Sequence, residues 1–385
     1  MLARTPRPPL RILHCLRAPV GGLFRHVRDL VEAQAGLGHA VGVVCDSASA
    51  DRLTEQRLAD LAHHAALGIH RVRMSRDIGL ADITAARQTR ALAEHLGAEI
   101  IHGHGAKGGA YARLAAAAQK RAGRPVAAVY TPHGGSLHYA PGSLKGRLYA
   151  SLERRLASLT DAIVFESAYS GRTFAGRIGA AIPISRVIHN GLRPEELLPH
   201  APAPDAADIL FVGELRALKG VDLLLAAIAT LRTEHPLNAV IVGDGPDAAL
   251  FRSQSAALGL DGSVRFAGAM PLRDALPLGR MMVVPSRAES LPYIVLEAAA
   301  AAMPLLATDV GGIGEIVAGT DTRLVAPESV PALARAIRDV LADDPGAKAR
   351  ALRLQASVAD RFSVARMTAA ILDVYADAAA ALTAR

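Results

Sequence analysis

Along this chain short runs of apolar, often β-branched residues alternate with longer segments whose apolar positions recur at helical spacing. Strands buried on both faces read as continuous apolar runs, so this alternation predicts parallel strands joined by crossover helices. The first half places strands at residues 10–16, 40–45, 69–72, 100–102, 126–130 and 162–165. The pattern then restarts, with strands at 209–212, 238–242, 264–267, 281–284 and 304–307. Between the two series, residues 192–208 carry Pro194, Pro199, Pro202 and Pro204, a density that suits an extended connection because proline lacks the amide that a helix or central strand needs. The fold class expected is therefore α/β with two Rossmann-like domains, residues 1–195 and 205–362. A C-terminal helix at about 363–385 is given the option of packing back onto the first. Two such domains are expected to face a central crevice with the carboxyl ends of their strands, where open α/β sheets bind ligands.

Composition narrows the class. A chain of 385 residues, half of them apolar, exceeds one hydrophobic core and suits two. Alanine-rich stretches such as 114–118 and 298–302 need no explanation beyond helix propensity. Cys15 and Cys45 each fall in a predicted strand, which supports neither a disulfide framework nor a four-ligand zinc site and fits a reducing cytoplasm. The basic N-terminus is followed by an apolar run too short for a signal peptide, and no run is long enough to span a bilayer. The net charge of +7 is uneven, with +11 over residues 1–200 and −4 over the remainder. A basic first half faces polyanions of any kind. Without tryptophan or an aromatic-interleaved basic motif, nucleic acid is set aside as a partner.

Candidate chemistry gathers at strand ends. The stretch 284–298 reads as a strand, a turn and the start of an alanine-rich helix, with Ser290 as the expected cap and Pro292 in the first turn. Amides near Leu291 and Tyr293 would then form an anion site at the helix start. Glu289 precedes that helix and Glu297 lies about five residues into it, roughly 8 Å further along the axis. Upstream, Gly213 opens a turn containing Arg216 and Lys219, two cations placed for a diphosphate, and Gly243 opens another turn after the next strand. In the first half Gly21 and Gly22 follow the first strand and open a helix, which lets backbone approach a phosphate or an acceptor. His133 stands in a glycine turn after the strand at 126–130. His102 and His104 resemble a ligand pair, but two imidazoles without a carboxylate motif favour a strand-end or substrate-contact role over a metal. No Asp-x-Asp triad occurs, so no metal or other cofactor is expected.

These motifs, in this order, resemble glycosyltransferase family 4, a group of retaining enzymes with the GT-B fold whose donor site is marked by two glutamates with seven residues between them. The resemblance runs over most of the chain and is clearest from Phe211 to Glu315. It implies a nucleotide-diphosphate sugar as donor. Glu289 would then meet the transferred sugar, Glu297 the ribose, and Lys219 with Arg216 the diphosphate. Glu214 stands where many relatives have arginine, which puts the arginine role on Arg216. His133 matches the family's active-site histidine, and Gly21-Gly22 its N-terminal glycine loop. Retention implies front-face attack, with a diphosphate oxygen taking the acceptor's proton.

The expected function is transfer of a sugar to a hydroxyl of a sugar or lipid-linked acceptor, in cell-surface polysaccharide or glycolipid synthesis. The expected location is the cytoplasm, or the inner face of the cell membrane. There, cations of segments 107–124 and 144–158 (Lys107, Arg113, Lys120, Arg121, Lys145, Arg147, Arg154 and Arg155) would rest on anionic lipid. Two alternatives share the architecture: a nucleotide-sugar epimerase, and a non-catalytic nucleotide-sugar-binding subunit.

Overall fold

The computed structural model describes residues 8–48, 52–75, 77–135 and 142–383. They fall into two compact units, one drawn from Met1–Gly191 and Val364–Arg385, the other Leu192–Ser363.

The first unit runs β1 (Arg11–Leu16), α1 (Gly21–Gly36), β2 (Ala40–Asp46), α2 (Arg52–Ala62), β3 (Ile69–Val72), α3 (Ala81–His95), β4 (Ile100–His104), α4 (Gly105–Arg121), β5 (Ala127–Thr131), α5 (Leu144–Ala157), β6 (Ala162–Phe165), α6 (Ala168–Ile178) and β7 (Ile184–Val187). Its seven strands lie in the order β3-β2-β1-β4-β5-β6-β7, and every pairing is parallel. The chain reverses its winding between β1 and β4, which leaves a crevice at their carboxyl ends. Alternation along β1 sends Ile12 and Leu16 to the face covered by α1, and Leu13 and Cys15 to the other.

The second unit runs β8 (Ala207–Val212), α7 (Val221–Arg232), β9 (Ala239–Val242), α8 (Ala248–Ala257), β10 (Val264–Gly268), α9 (Leu272–Ala275), β11 (Gly279–Val284), α10 (Tyr293–Ala300), β12 (Leu305–Thr308), α11 (Ile313–Val317), β13 (Leu324–Val325), α12 (Val330–Ala342) and α13 (Asp344–Arg361). Its sheet order is β10-β9-β8-β11-β12-β13, with the switch between β8 and β11. The proline-rich stretch belongs to this unit. Up to Ala206, where β8 follows, it is irregular apart from a 3-10 turn at Pro194–Glu196 and an isolated bridge from Leu192 to Ser363, and the amides of Leu192, His200 and Ala203 donate to the carbonyls of Phe362, Ala301 and Pro277. The last helix, α14 (Val364–Thr383), returns to the first unit, where Met367, Ile371 and Tyr375 join the core built by Ile12, Val27 and Val129.

Two expectations are corrected. Ser290 does not cap α10: the cap lies two residues later than expected, at Pro292 in extended conformation, and the Ser290 carbonyl accepts from the Gly312 amide at 2.7 Å. Nor does α4 leave Lys107, Arg113 and Lys120 free for a surface, although Arg121 at its end is exposed. Arg113 is fully buried, donates to Glu153 at 2.9 Å and stacks on the Tyr130 ring at 4.0 Å. Lys107 pairs with Asp82 and Lys120 with Asp161. Among the described residues no helix is long and apolar enough to cross a membrane.

Candidate functional site

In the second unit the functional side chains gather at the β8/β11 switch. Lys219 Nζ donates to Glu289 Oε1 at 2.6 Å, and Ser286 Oγ donates to the same oxygen at 2.7 Å. The two residues are 70 apart in sequence. They meet because β8 and β11 are neighbours, so the loops that follow them share one edge.

Three links hold these loops. Arg287 clamps Asp222 bidentately at 2.8 and 2.7 Å and donates to the Ala217 carbonyl at 2.6 Å, while its amide donates to the Leu218 carbonyl at 2.8 Å. The Lys219 turn is thus tied to the Glu289 turn by one guanidinium, an anchor the sequence reading overlooked. The Asp222 carboxyl is held below the usual range by Arg287, consistent with a fixed ion pair. Gly311 (φ 63°) packs its α-carbon against the Glu289 backbone, where a Cβ would collide with the carbonyl oxygen. At Gly243 (φ 141°) a Cβ would strike the Gly213 carbonyl, so these two predicted glycines bring adjacent strand-end turns into contact.

The other predicted residues are placed as follows. Arg216 is exposed and lies 3.5 Å from the Glu214 carboxylate, a pairing other than the Lys219–Glu289 contact. Leu291, Pro292 and Tyr293 are buried at the start of α10, and Glu297 is half-buried one turn further along.

In the first unit five histidines converge at the β1/β4 switch. His14 and His102 are register partners on neighbouring strands, and His104 lies two residues beyond His102 on the same face. His26 comes from α1, and His133 from the turn after β5. His133 has φ 50°, a left-handed conformation uncommon for a side chain with a Cβ, within the run His133-Gly134-Gly135 whose φ values are all positive. Its ring packs edge-on against His26 at 4.8 Å, so it does have neighbours that the glycine turn did not suggest. Gly21 and Gly22 open α1 in exposed positions; the cap residue Val20 supplies no side-chain bond to the first amides.

The ring nitrogens form a directed chain. Gln34 Oε1 only accepts, so His14 Nε2, 2.9 Å away, carries the proton. Burial lowers His14 to a pKa of about 4 against a partial upward pull from Gln34, which leaves its Nδ1 bare near neutrality. That atom accepts from His104 Nε2 at 2.9 Å, and His104 Nδ1 in turn accepts from His133 Nε2 at 3.1 Å. His133 is therefore left with its lone pair on Nδ1. Burial lowers His133 to about 3, and it lowers His104, His102 and His26 well below the usual imidazole value, with the neighbouring histidines adding to the effect on these three. His102 is engaged separately, with Tyr375 Oη at 2.6 Å and Thr131 Oγ1 at 2.8 Å. The sequence offered His102, His104 and His133; His14 and His26 were missed because one reads as strand interior and the other as helix interior.

Two doubly wound units, each carrying its polar cluster at its own sheet's switch point, define an α/β enzyme of the GT-B class. Two family models match: "Glycosyltransferase Family 4" over residues 20–196 and "Glycosyl transferases group 1" over residues 206–343. The chain belongs to this glycosyltransferase family, and it is a glycosyltransferase. It is 28% identical over 380 residues to a glycogen synthase of Mycobacterium tuberculosis, covering 92% of this chain and 91% of that one. It is 30% identical over 251 residues to the putative teichuronic acid biosynthesis glycosyltransferase TuaC of Bacillus subtilis, covering 62% and 60%. The fold is similar to that of sucrose-phosphate synthase from Thermosynechococcus elongatus, with a TM-score of 0.80 at 21% identity over 97% of this chain and 100% of that one. It is likewise similar to Anabaena HepE in complex with UDP-glucose, with a TM-score of 0.78 at 20% identity over 96% and 100%.

Proposed function

We propose that the chain is a retaining glycosyltransferase that takes a sugar from a nucleotide-diphosphate donor without a divalent metal and builds a cell-surface polysaccharide or glycolipid. The observation that carries this reading is the 2.6 Å contact of Lys219 with Glu289. A half-buried cation beside a carboxylate at a sheet switch point is a receptor for one ligand with two ends, an anionic diphosphate and a hydroxyl-rich sugar. When a donor binds, Lys219 turns from Glu289 to the diphosphate and frees the carboxylate oxygen to accept from a sugar hydroxyl. A cation and a phosphate charge about 4 Å apart attract by roughly 4 kcal/mol at an effective dielectric near 20, a scale sufficient to steady a leaving diphosphate. Similarity to a protein solved with UDP-glucose supports a nucleotide sugar as donor.

Glu297, one turn into α10, serves the ribose, and Gly213 and Gly243 keep the turns flat against the nucleotide. In the first unit His133 offers Nδ1 as a fixed acceptor for a sugar hydroxyl. Resemblance to TuaC supports an acceptor at the cell surface. Contact with anionic lipid falls to the start of α5, where Leu144, Lys145, Arg147 and Leu148 are all exposed.

Acceptor-dependent turnover in excess EDTA, with the product's anomeric centre read by proton NMR, tests the reading. Retained configuration and undiminished turnover are expected. Inversion, donor turnover without acceptor, or a Mg²⁺-reversible loss of activity would contradict it.

A further inference from the structure

Of the two histidine triads among the described residues whose ring nitrogens lie close enough to share an ion, one has its nitrogens already committed. His14 bonds to His104 and Gln34, and His102 to Tyr375 and Thr131. The other, His26, His104 and His133, differs in one respect. His26 Nε2 is buried without a hydrogen-bond partner, although burying a polar atom unpaired is costly. Its other nitrogen, Nδ1, lies 3.0 Å from Asn190 Oδ1 and must donate to it. Nε2 is therefore a bare lone pair, on a ring whose centroid lies 5.6 and 4.8 Å from those of His104 and His133.

We propose that His26, His104 and His133 form a zinc site that switches the transferase off. One ring nitrogen from each of the three lies within 4.8 Å of the other two; the unpartnered His26 Nε2 and the His104 Nδ1–His133 Nε2 pair are the donors assigned here. Tetrahedral zinc with nitrogens at about 2.0–2.1 Å asks for an edge near 3.3 Å, and the His104–His133 edge already measures 3.1 Å. Two of the three lone pairs are pre-set by outer partners of the kind that orient metal-bound histidines: Asn190 fixes the His26 tautomer, and the His14–Gln34 pair fixes that of His104. Borderline-soft Zn²⁺ suits an all-imidazole set.

The third ligand needs one proton move. The proton that His133 Nε2 shares with His104 Nδ1 passes through solvent to His133 Nδ1, so both nitrogens become metal donors with no net change in protonation. A water takes the fourth position on the partly exposed side of His133. His133 Nδ1 then donates where it had accepted, and the acceptor function assigned to it is lost. That inhibitory consequence rests on the proposed transfer reaction, whereas zinc binding stands or falls independently of it.

Titration of the EDTA-washed, desalted full chain with ZnCl₂ by calorimetry tests the site. One zinc per chain is expected, with binding weakened roughly 100-fold by His26→Gln or His133→Gln, about 10- to 100-fold by Asn190→Ala, and left within a few-fold by His102→Gln. Variants are compared at matched thermal stability. On the unmodified protein, Co²⁺ should give the intense visible absorption of a tetrahedral site, and stoichiometric ZnCl₂ should abolish it. Absence of that absorption, no binding by calorimetry, or zinc affinity unchanged in both His26→Gln and His133→Gln would overturn the proposal.

Discussion

On the proposed function Lys219, Glu289 and Glu297 would divide one donor among them, and that division is measurable. Glu289→Ala should lower turnover chiefly, because in the proposed site its carboxylate is the one Lys219 would release to the transferred sugar. Glu297→Ala should instead weaken donor binding, as a ribose contact made equally in ground and transition states does. Equal loss of donor affinity in the two variants, read by titration with the donor, would contradict the division. The histidine cluster makes a second prediction, for the metal-free protein. His14 and His133 have folded pKa values of about 4 and about 3 against 6.5 when unfolded. The unfolded chain therefore takes up protons that the folded one refuses. The stability these residues allow is fully present above pH 6.5 and is lost as pH falls toward 4, each such histidine costing about 1.4 kcal/mol per pH unit in that window. Denaturant melts should show the midpoint falling steeply from pH 6.5 to 5, and a flat midpoint there would show that the cluster is protonated or open. The Lys219–Glu289 pairing was legible because both residues stand in loops that follow strands, Lys219 after β8 and Glu289 after β11, with the glutamate spacing marked by the family resemblance. The convergence of His14 and His26 was not, since it depends on strand register and on where α1 lies.

At the level of elements, the β8 and β11 loops work as one piece because Arg287 binds Asp222 and the Ala217 carbonyl at once. Arg287→Gln should let the Lys219 turn drift. Since misplacement of a catalytic group by about 1 Å costs on the order of 100-fold, kcat/KM should fall 10- to 100-fold. Asp222→Asn should fall similarly, and the double variant little further. Additive losses measured in the double variant would mean the two act separately. The central strands were legible within a residue or two at either end because their residues are apolar on both faces. β7 was not: Ile184–Val187 includes Ser185 and Arg186, and three of its four positions are exposed, as befits an edge strand. β13, two residues long, offers no periodicity at all. Ser290 misled for a local reason, because the Pro292 ring disfavours helical backbone at Leu291, and the helix begins only after Pro292, itself extended (φ −74°, ψ 125°).

For the whole molecule, the charge asymmetry of +11 against −4 reads correctly as a property of the sequence, yet burial decides which cations reach outward. Arg113, Lys107 and Lys120 are spent on carboxylates within the first unit. Lys145 and Arg147 stay exposed beside Leu144 and Leu148. Co-sedimentation should therefore require anionic vesicles and weaken as salt rises to physiological strength, where exposed charges reach only about 8 Å. Lys145→Glu with Arg147→Glu should abolish it, while Lys120→Ala leaves it intact; protein that stays in the supernatant with anionic vesicles at low salt would remove the lipid surface from the account. The central claim is that the second unit holds a nucleotide-sugar donor through Lys219, without a metal. Thermal unfolding in EDTA against UDP-, GDP- and ADP-sugars tests it most directly. One of them, near 100 times its dissociation constant, should stabilise the protein by about 2.7 kcal/mol and raise its melting temperature by several degrees, and Lys219→Met should erase most of that rise. No shift with any nucleotide sugar, or an undiminished shift in Lys219→Met, would contradict the account.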